Sequence, residues 1–574
     1  MKKVTEQEVQ ICLQLLIEKY RVPIRLLIRI LGKERLDDIQ DMLIELTGQS
    51  LTEQKIAELI IREKAELLFA GSELAVRELR SYLLKQLEEP DLIALYQRNP
   101  DTKKVITASK YMVTPLVKKK WLVGGRWPKD FVRTLGFPTS FAGKSANKVI
   151  RKESFIDVEP KRIVPPLVPF QEQLKNELLK VLKLEGNHTR CVVTMPTGTG
   201  KTRVAVESYI EWMREGFAKG RYFIWIAQSE ELCEQAIACI TEMWQEKDYP
   251  ESLRLYRYFS GNQIDEEELC GGAVVASIQQ LFYRLKSKDP IIAEILCDCG
   301  AMIIDEAHHA VAPMYQELLE KAEELSGGRS FPICGLTATP GRNDEQTMKL
   351  VNKFEAHLIQ PKINLNQQET PLRFFREHGY LAKPKHVIYQ SGRVYEVDEQ
   401  CVTANGERDF TELLRVLATD VWRNKQIVSS LVKLPKTASV LIYACTVEHA
   451  ELLAQTMNVL NSSAVAITSD TPKTARRLYI DQFKKGQIKF LFNYGVLTTG
   501  FDAPKTDYIV ITRPTTSVIL YEQMIGRGLR GPRFGGTESC TIIDFADNLL
   551  RLGKPLAYAR FKNFWERESV RELS

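Results

Sequence analysis

The sequence predicts an α/β fold: two parallel-sheet units in tandem, preceded by a mostly helical accessory region. Three observations lead there. From about residue 170 to 345, short apolar runs ("CVVTM", "YFIWIA", "AVVAS", "AMIID", "PICGLTA") alternate with helical patterns, as parallel strands joined by covering helices do. The alternation returns with "SVLIYA", "AVAIT", "KFLFN", "YIVIT" and "CTIIDF". Residues 1–100 read differently, with "VQICLQLLIEKY", "IRLLIRIL" and "ELAVRELRSYLLKQL" placing apolar residues at helical spacing.

Bulk properties set the frame. At 574 residues the chain exceeds one core. Hydrophobic residues at 44% and charged residues at 26% match an ordinary soluble protein, and no run of about 18 apolar residues offers a membrane span. No apolar stretch follows the N-terminal lysines, so no signal peptide is read. The eleven cysteines are odd in number and scattered, which fits free thiols in a reducing cytoplasm better than disulfides. Net charge is +6 but uneven: residues 102–152 hold thirteen Lys/Arg against one acid, Asp130. Such a block suggests a polyanionic partner.

In order, residues 1–100 form a helical accessory domain without histidine, hence with neither a histidine base nor a Cys/His zinc site. Residues 101–164 form a basic, aromatic-rich segment and linker. Trp121, Trp127, Phe131, Phe137 and Phe141 interleave with its lysines, and the four prolines of "EPKRIVPPLVPF" mark the linker. The first α/β unit runs over 165–345, a connector over 346–400, the second unit over 401–550, and a tail helix over 551–574. The basic block has two readings. Lys118, Lys119, Lys120 and Trp121 offer charge and a stacking ring to nucleic acid. Alternatively the aromatics are a small core with solvated lysines outside. The concentration of both features in "VKKKWLVGGRWPK" favours the first.

"MPTGTGKTR", 195–203, sits between a strand pattern and a helix pattern, the context of a phosphate-binding P-loop. Thr197, Gly198, Thr199 and Gly200 aim backbone N–H groups at phosphates, Lys201 supplies charge to the β/γ-phosphates, and Thr202 ligates Mg²⁺. Met195 stands where the usual pattern has glycine. "AMII" then ends in Asp305, the place of a Mg²⁺-holding aspartate, and Glu306 beside it can polarise water. Asp305, Glu306, His308 and His309 also raise a zinc reading. Adjacent histidines are expected to diverge on a strand or helix, which makes them poor partners for one ion. His308 is expected to meet the neighbouring lobe or a phosphate. "LTATP", 336–340, and "QMIGRGLRG", 523–531, complete the set. On a helix Arg527 and Arg530 share a face and could clamp a γ-phosphate, unless they merely form a basic helix cap. "IDVEPK", 156–161, has the acid–x–Lys pattern of restriction-type nucleases, but its prolines and linker position argue against an active strand.

P-loop, DEAH, "TAT" and "QxxGRGxR" in this order resemble superfamily 2 helicases of the DEAH/restriction (ResIII) branch, over about residues 165–550. "TVEHAELLA", "ITSDTP" and "TTGFDAP" look most like the bacterial RadD-type helicases. The resemblance implies two tandem RecA-like P-loop domains that close on ATP and Mg²⁺. It implies adenine reading by Gln171 of "LVPFQ", ATP contacts from Gly500 and Asp502, and a catalytic place for Gln523. It also implies contacts to a strand from Gln228, Ser277, Gln279, Thr498 and Thr499. The function so implied is an ATP-dependent helicase or translocase on single-stranded or forked DNA, RNA not excluded, in DNA repair or phage defence. A partner protein would dock on residues 1–100. The alternative is an ATP-gated nucleic-acid-binding motor subunit that serves a partner nuclease without unwinding.

Overall fold

The protein is described from a computed structural model. The described residues are 4–70, 73–99, 108–122, 124–143, 155–158, 165–217, 220–246, 251–310, 312–338, 352–362, 371–396, 411–497, 503, 505–515 and 518–550. Thr498, Thr499, Gly500, Asp502, the last two residues of "LTATP" and the expected tail helix at 551–574 lie outside them.

Among the described residues eight α-helices open the chain: Glu6–Gln14, Ile24–Leu31, Lys33–Thr47, Glu53–Lys64, Leu74–Lys85, Glu89–Arg98, Val113–Lys118 and Arg126–Leu135. They share one core, so the expected division at residue 100 does not correspond to a break in packing. Phe69, fully buried, gathers the aromatics of the basic segment. Its ring centroid lies 4.8 Å from Phe137, 5.5 Å from Phe131, 6.2 Å from Phe141 and 6.4 Å from Trp121. Tyr20 Oη donates to the Leu135 carbonyl at 2.6 Å, tying first helices to last. This core supplies what helices of marginal individual stability require.

The first lobe is an eight-stranded sheet: β1 (Phe155–Val158), β2 (Arg190–Thr194), β3 (Tyr222–Ala227), β4 (Leu253–Tyr258), β5 (Gly272–Ser277), β6 (Cys299–Ile304), β7 (Ile333–Thr337) and β8 (Leu358–Ile359). Their order is β1-β4-β5-β3-β6-β7-β2-β8, parallel except for β1, which pairs antiparallel with β4. Residues 155–158 of the presumed linker are therefore an edge strand. β3 and β6 are buried at every position, as expected of a sheet covered on both faces. The second lobe contains β9 (Lys383–Glu396), β10 (Val440–Tyr443), β11 (Ala464–Ile467), β12 (Phe490–Asn493), β13 (Tyr508–Ile511) and β14 (Ser539–Leu550), all parallel, ordered β11-β12-β10-β13-β14-β9. This lobe begins at Lys383, inside the expected connector. β9 is an edge strand whose "KPKH" start carries charge, as exposed edges do, and so lacks the apolar run that marks a central strand.

The accessory domain packs on the second lobe. Helices Lys33–Thr47 and Glu53–Lys64 lie against Val421–Val432 and Val447–Val459, and one apolar core runs through both. Arg35 fixes the register, donating from Nε to Gln455 Oε1 and from Nη2 to Glu451 Oε2, both at 2.9 Å. The ten described cysteines are free; Cys191 and Cys334 neighbour each other on β2 and β7, their Sγ atoms 3.4 Å apart. Among the described residues no helix is long and apolar enough to cross a membrane.

Candidate active site

Parallel strands joined by helices deliver their following loops to one edge of a sheet. At that edge of the first lobe β7 separates β2 from β6, bringing the loops after both strands close together. The loop after β2 turns into helix Lys201–Trp212. Gly198 (φ +87°) and Gly200 (φ +88°) adopt left-handed conformations open to glycine at little cost. Thr199 Oγ1 donates to the Pro196 carbonyl at 2.7 Å and stiffens the turn. The helix N-terminus and its approaching N–H groups form an anion site, with Lys201 at the first helical position.

β6 delivers Asp305 and Glu306. Asp305 is 5% exposed, its N–H donates to the Ile226 carbonyl of β3 at 2.9 Å, and Oδ1 accepts from the Glu306 N–H at 3.0 Å. Burial and the adjacent Glu306 charge push its carboxyl up to about 6, with Lys201 and Arg527 pulling the other way. Glu306 has φ +50°, a conformation costly for a non-glycine residue and a mark of functional turns. Burial alone would raise its carboxyl, but Lys201, His308, Arg527 and His309 hold it below the ordinary glutamate range.

The two histidines correct one expectation. Residues Ala307–His309 form a 3₁₀ turn that brings the rings together, centroids 4.1 Å apart and tilted by 44°. Among the described residues no group of three His, Cys, Asp or Glu side chains is placed to hold a metal ion. Burial, then His309, lowers His308 to about 4, so its ring is neutral at neutral pH. Its Nδ1, 3.4 Å from Glu306 Oε2, is buried with no hydrogen-bond partner among the described residues.

Arg527 and Arg530 do not share a helix face, which corrects the second expectation. Helix Val518–Ile525, which carries Gln523, stops before them. Residues 526–528 turn, and Arg530 forms an isolated antiparallel bridge with Leu381. Close packing is the reason. A Cβ on Gly526 would lie 2.5 Å from Thr197 Cγ2 of the P-loop, and one on Gly528 would lie 2.5 Å from Cys540 Sγ. Gly198 in turn faces the backbone of Arg530 and the Gly526 carbonyl. The P-loop of one lobe and the arginine loop of the other are thus in contact, and the Arg527 charge reaches Asp305 and Glu306.

Gln171 is turned toward the P-loop. Its Nε2 donates to the Thr199 carbonyl at 2.8 Å, while Oε1 accepts from the Val168 N–H at 3.1 Å. Gln228 and Gln279 are exposed and joined: Gln279 Nε2 donates to the Gln228 carbonyl at 3.0 Å, bringing the ends of β3 and β5 together. Ser277 caps helix Ile278–Lys286 by accepting from the Gln280 N–H at 3.3 Å. The basic segment is far from uniform. Lys118 and Lys120 are exposed, whereas Lys119 Nζ donates to the Asn99 carbonyl at 2.8 Å. Trp121 is partly buried against the accessory core. Its ring packs edge-on against Phe131 (5.4 Å) and Trp127 (6.3 Å), with the Arg80 guanidinium 5.5 Å over it. The small-core reading holds for that ring.

Sequence reasoning missed the bridges between lobes. Arg476 pairs with Glu231, and Arg477 with Glu234 at 3.1 Å. No local signal marks them, because the partners lie over 240 residues apart. A cavity of about 650 Å³ at the amino ends of β2 and β7, lined by Arg190, Glu323, Arg329 and Lys353, is remote from this chemistry.

Two families match the chain at these elements. The one described as "Type III restriction enzyme, res subunit" covers residues 165–342, and "Helicase conserved C-terminal domain" covers 423–531. The chain thus carries a region similar to the restriction-enzyme res subunit followed by one similar to a helicase C-terminal domain. Among helicase relatives, a Saccharomyces cerevisiae protein named as ATP-dependent helicase IRC3 is 28% identical over 366 residues, covering 62% of this chain and 48% of its own length. A Schizosaccharomyces pombe protein named as mitochondrial ATP-dependent helicase irc3 is 26% identical over 409 residues, with 68% and 59% covered. The chain therefore spans about half the length of these helicases. A solved fragment of an HsdR subunit of a type I restriction enzyme from Vibrio vulnificus YJ016 aligns at 23% identity with a TM-score of 0.44, covering 66% of this chain and 63% of that one.

Proposed function

We propose that this helicase is an ATP-driven motor that moves along single-stranded or forked DNA in DNA repair or phage defence. The observation that carries the reading is one phosphate site built from both lobes. A Cβ on Gly198 would meet the Arg530 backbone at 3.7 Å, and the Arg527 charge acts on Asp305 and Glu306 across the junction. In this reading the site is complete when the lobes are closed, and hydrolysis is tied to relative lobe movement.

In this reading Lys201 holds the β/γ-phosphates and Glu306 takes the proton of the attacking water. Its lowered pKa keeps it ionised for that task. Neutral His308, with its orphaned Nδ1, offers a hydrogen bond to that water or to the γ-phosphate. Arg527 and Arg530 meet charge that develops on the transferring phosphoryl group, with Gln523 beside them. Thr202 and Asp305 suit Mg²⁺: a buried carboxyl pushed up to about 6 stays ionised at low cost only beside a cation. Bound Mg²⁺ would offset phosphate charge. Gln171, Gly500 and Asp502 complete the nucleotide site. Gln171 acts there through the P-loop, since its amide is bonded to Thr199.

The strand would cross the sheet edges at Gln228, Ser277 and Gln279 and continue to Thr498 and Thr499, gripped through phosphates with weak sequence preference. The RadD-like "TVEHAELLA" and "ITSDTP" support a repair role in the cytoplasm. The family description, that of a subunit, supports a partner nuclease or effector on the accessory domain. ATPase stimulation measured across single-stranded, duplex and forked DNA and RNA tests the reading. The largest stimulation is expected from single-stranded or forked DNA; equal rates with and without every nucleic acid would sink it. Strand displacement separates a motor from an ATP-gated clamp.

The accessory domain contributes phosphate contacts through Lys118 and Lys120, both exposed in a segment of thirteen basic residues. Replacing both by alanine is expected to lower the salt slope of single-strand binding by up to about 1.4, from about 0.7 per phosphate contact. Titration of a labelled strand at several salt concentrations reads this directly. An unchanged slope in the folded variant would leave these lysines as solvated surface.

A further inference from the structure

We propose that Tyr380 is a positioning residue for Arg530, holding the arginine loop in register with the P-loop from behind the nucleotide site. The inference rests on the proposed role of Arg530 at ATP. The segment joining the lobes does more than connect them. After helix Pro371–Glu377, residues 379–382 run antiparallel to the arginine loop. The Gly531 N–H donates to the Tyr380 carbonyl and the Arg533 N–H to the Gly379 carbonyl, each at 3.1 Å, while the Ala382 N–H donates to the Leu529 carbonyl at 2.9 Å. These bonds bracket Arg530 on both sides. Its own carbonyl accepts from the Thr537 N–H at 3.1 Å. The fit is tight: a Cβ on Gly531 would lie 2.3 Å from the Gly379 carbonyl oxygen.

The Tyr380 side chain, 4% exposed, joins this loop to the first lobe. Its ring meets Phe170 edge to face with centroids 5.0 Å apart, and Phe534 of the second lobe at 5.6 Å. The Arg533 guanidinium lies 5.1 Å over the ring, and its Nη1 donates to the Tyr380 hydroxyl at 3.0 Å. Phe170 precedes Gln171, whose Nε2 holds the Thr199 carbonyl of the P-loop. The path Thr199–Gln171–Phe170–Tyr380–Gly531 therefore reaches Arg530 through touching groups. Arg530 also lies directly against the P-loop at Gly198. Two separate contacts fix a spacing where one would allow rotation. Tyr380 supplies the second through its contacts with Phe170 and the arginine loop.

The test is steady-state ATPase of the full chain with saturating single-stranded DNA, for Tyr380→Ala, Tyr380→Phe, Arg530→Ala and the Tyr380→Ala/Arg530→Ala double variant. Tyr380→Ala is expected to lower kcat by about 10²-fold, the cost of displacing a positioned group by about 1 Å. KM for ATP should stay within about twofold, as for a group that acts only in the transition state. Tyr380→Phe, which keeps the ring contacts, is expected to restore most of the rate. The double variant should be no slower than Arg530→Ala alone, since Tyr380 acts through that arginine. Additive losses in the double variant, or a raised KM with unchanged kcat, overturn the proposal. If Arg530→Ala itself keeps normal turnover, the arginine role fails and this proposal with it, a result distinct from Tyr380→Ala alone being silent. Should Tyr380→Ala melt below assay temperature, Phe170→Leu probes the same path from the first lobe: a drop in kcat at unchanged KM supports it, and unchanged kcat overturns it.

Discussion

Replacing Lys201 by alanine is expected to abolish ATP hydrolysis, with a loss of about 10³-fold or more, because the phosphates lose their one fixed cation on the P-loop. Glu306→Gln is expected to separate binding from chemistry. The amide preserves the shape of the site but cannot take a proton, so turnover should fall by roughly 10²–10⁴-fold while ATP still binds. The carboxyl environment sharpens the contrast. Four neighbours, Lys201, His308, Arg527 and His309, favour the ionised form of Glu306 against its burial. Removing the negative charge from Glu306 also relieves Asp305, whose pKa that charge raises. Glu306→Gln should therefore bind ATP with Mg²⁺ at least as well as the parent chain. Binding of a fluorescent ATP analogue beside phosphate release checks both variants, and equal loss of binding in the two would contradict the assigned roles.

Arg527→Ala and Arg530→Ala are each expected to slow turnover by roughly 10³-fold with little change in ATP affinity, as arginine fingers do in phosphoryl transfer. Arg527 lowers the pKa of both Asp305 and Glu306. Without Arg527 both carboxyls titrate at higher pH, so the base is protonated sooner as pH falls. The acid limb of the residual rate should move upward in Arg527→Ala. Near-normal turnover in both variants would remove the lobe-closure mechanism.

The expectation that these arginines share a helix face failed for a reason visible only in three dimensions. A turn of helix through Gly526–Arg530 is compatible with the local sequence. It gives way because Gly526 must meet Thr197 and Gly528 must meet Cys540, contacts closer than any side chain permits. Trp121 failed in the same manner. Aromatic rings among lysines suit either a stacking platform or a core, and Phe69, some fifty residues earlier, decides between them by collecting the rings. β9 escaped notice because an edge strand lacks the continuous apolar run of a central one.

What the sequence by itself determined is the chemistry confined to short stretches of chain. A P-loop needs only a strand end, two glycines, a lysine and a hydroxyl within nine residues, and the DEAH segment needs an apolar strand ending in two acids. The strand–helix alternation is likewise read from nearest neighbours, so the α/β class followed from it. Only the tertiary structure decided which distant groups share a site: Arg527 with Glu306, Tyr380 with Phe170, and the accessory helices with the second lobe through Arg35 and Glu451. These pairings arise from the packing of whole faces against one another, and the energy that selects them is spread over contacts far apart in the chain, where no local pattern records it.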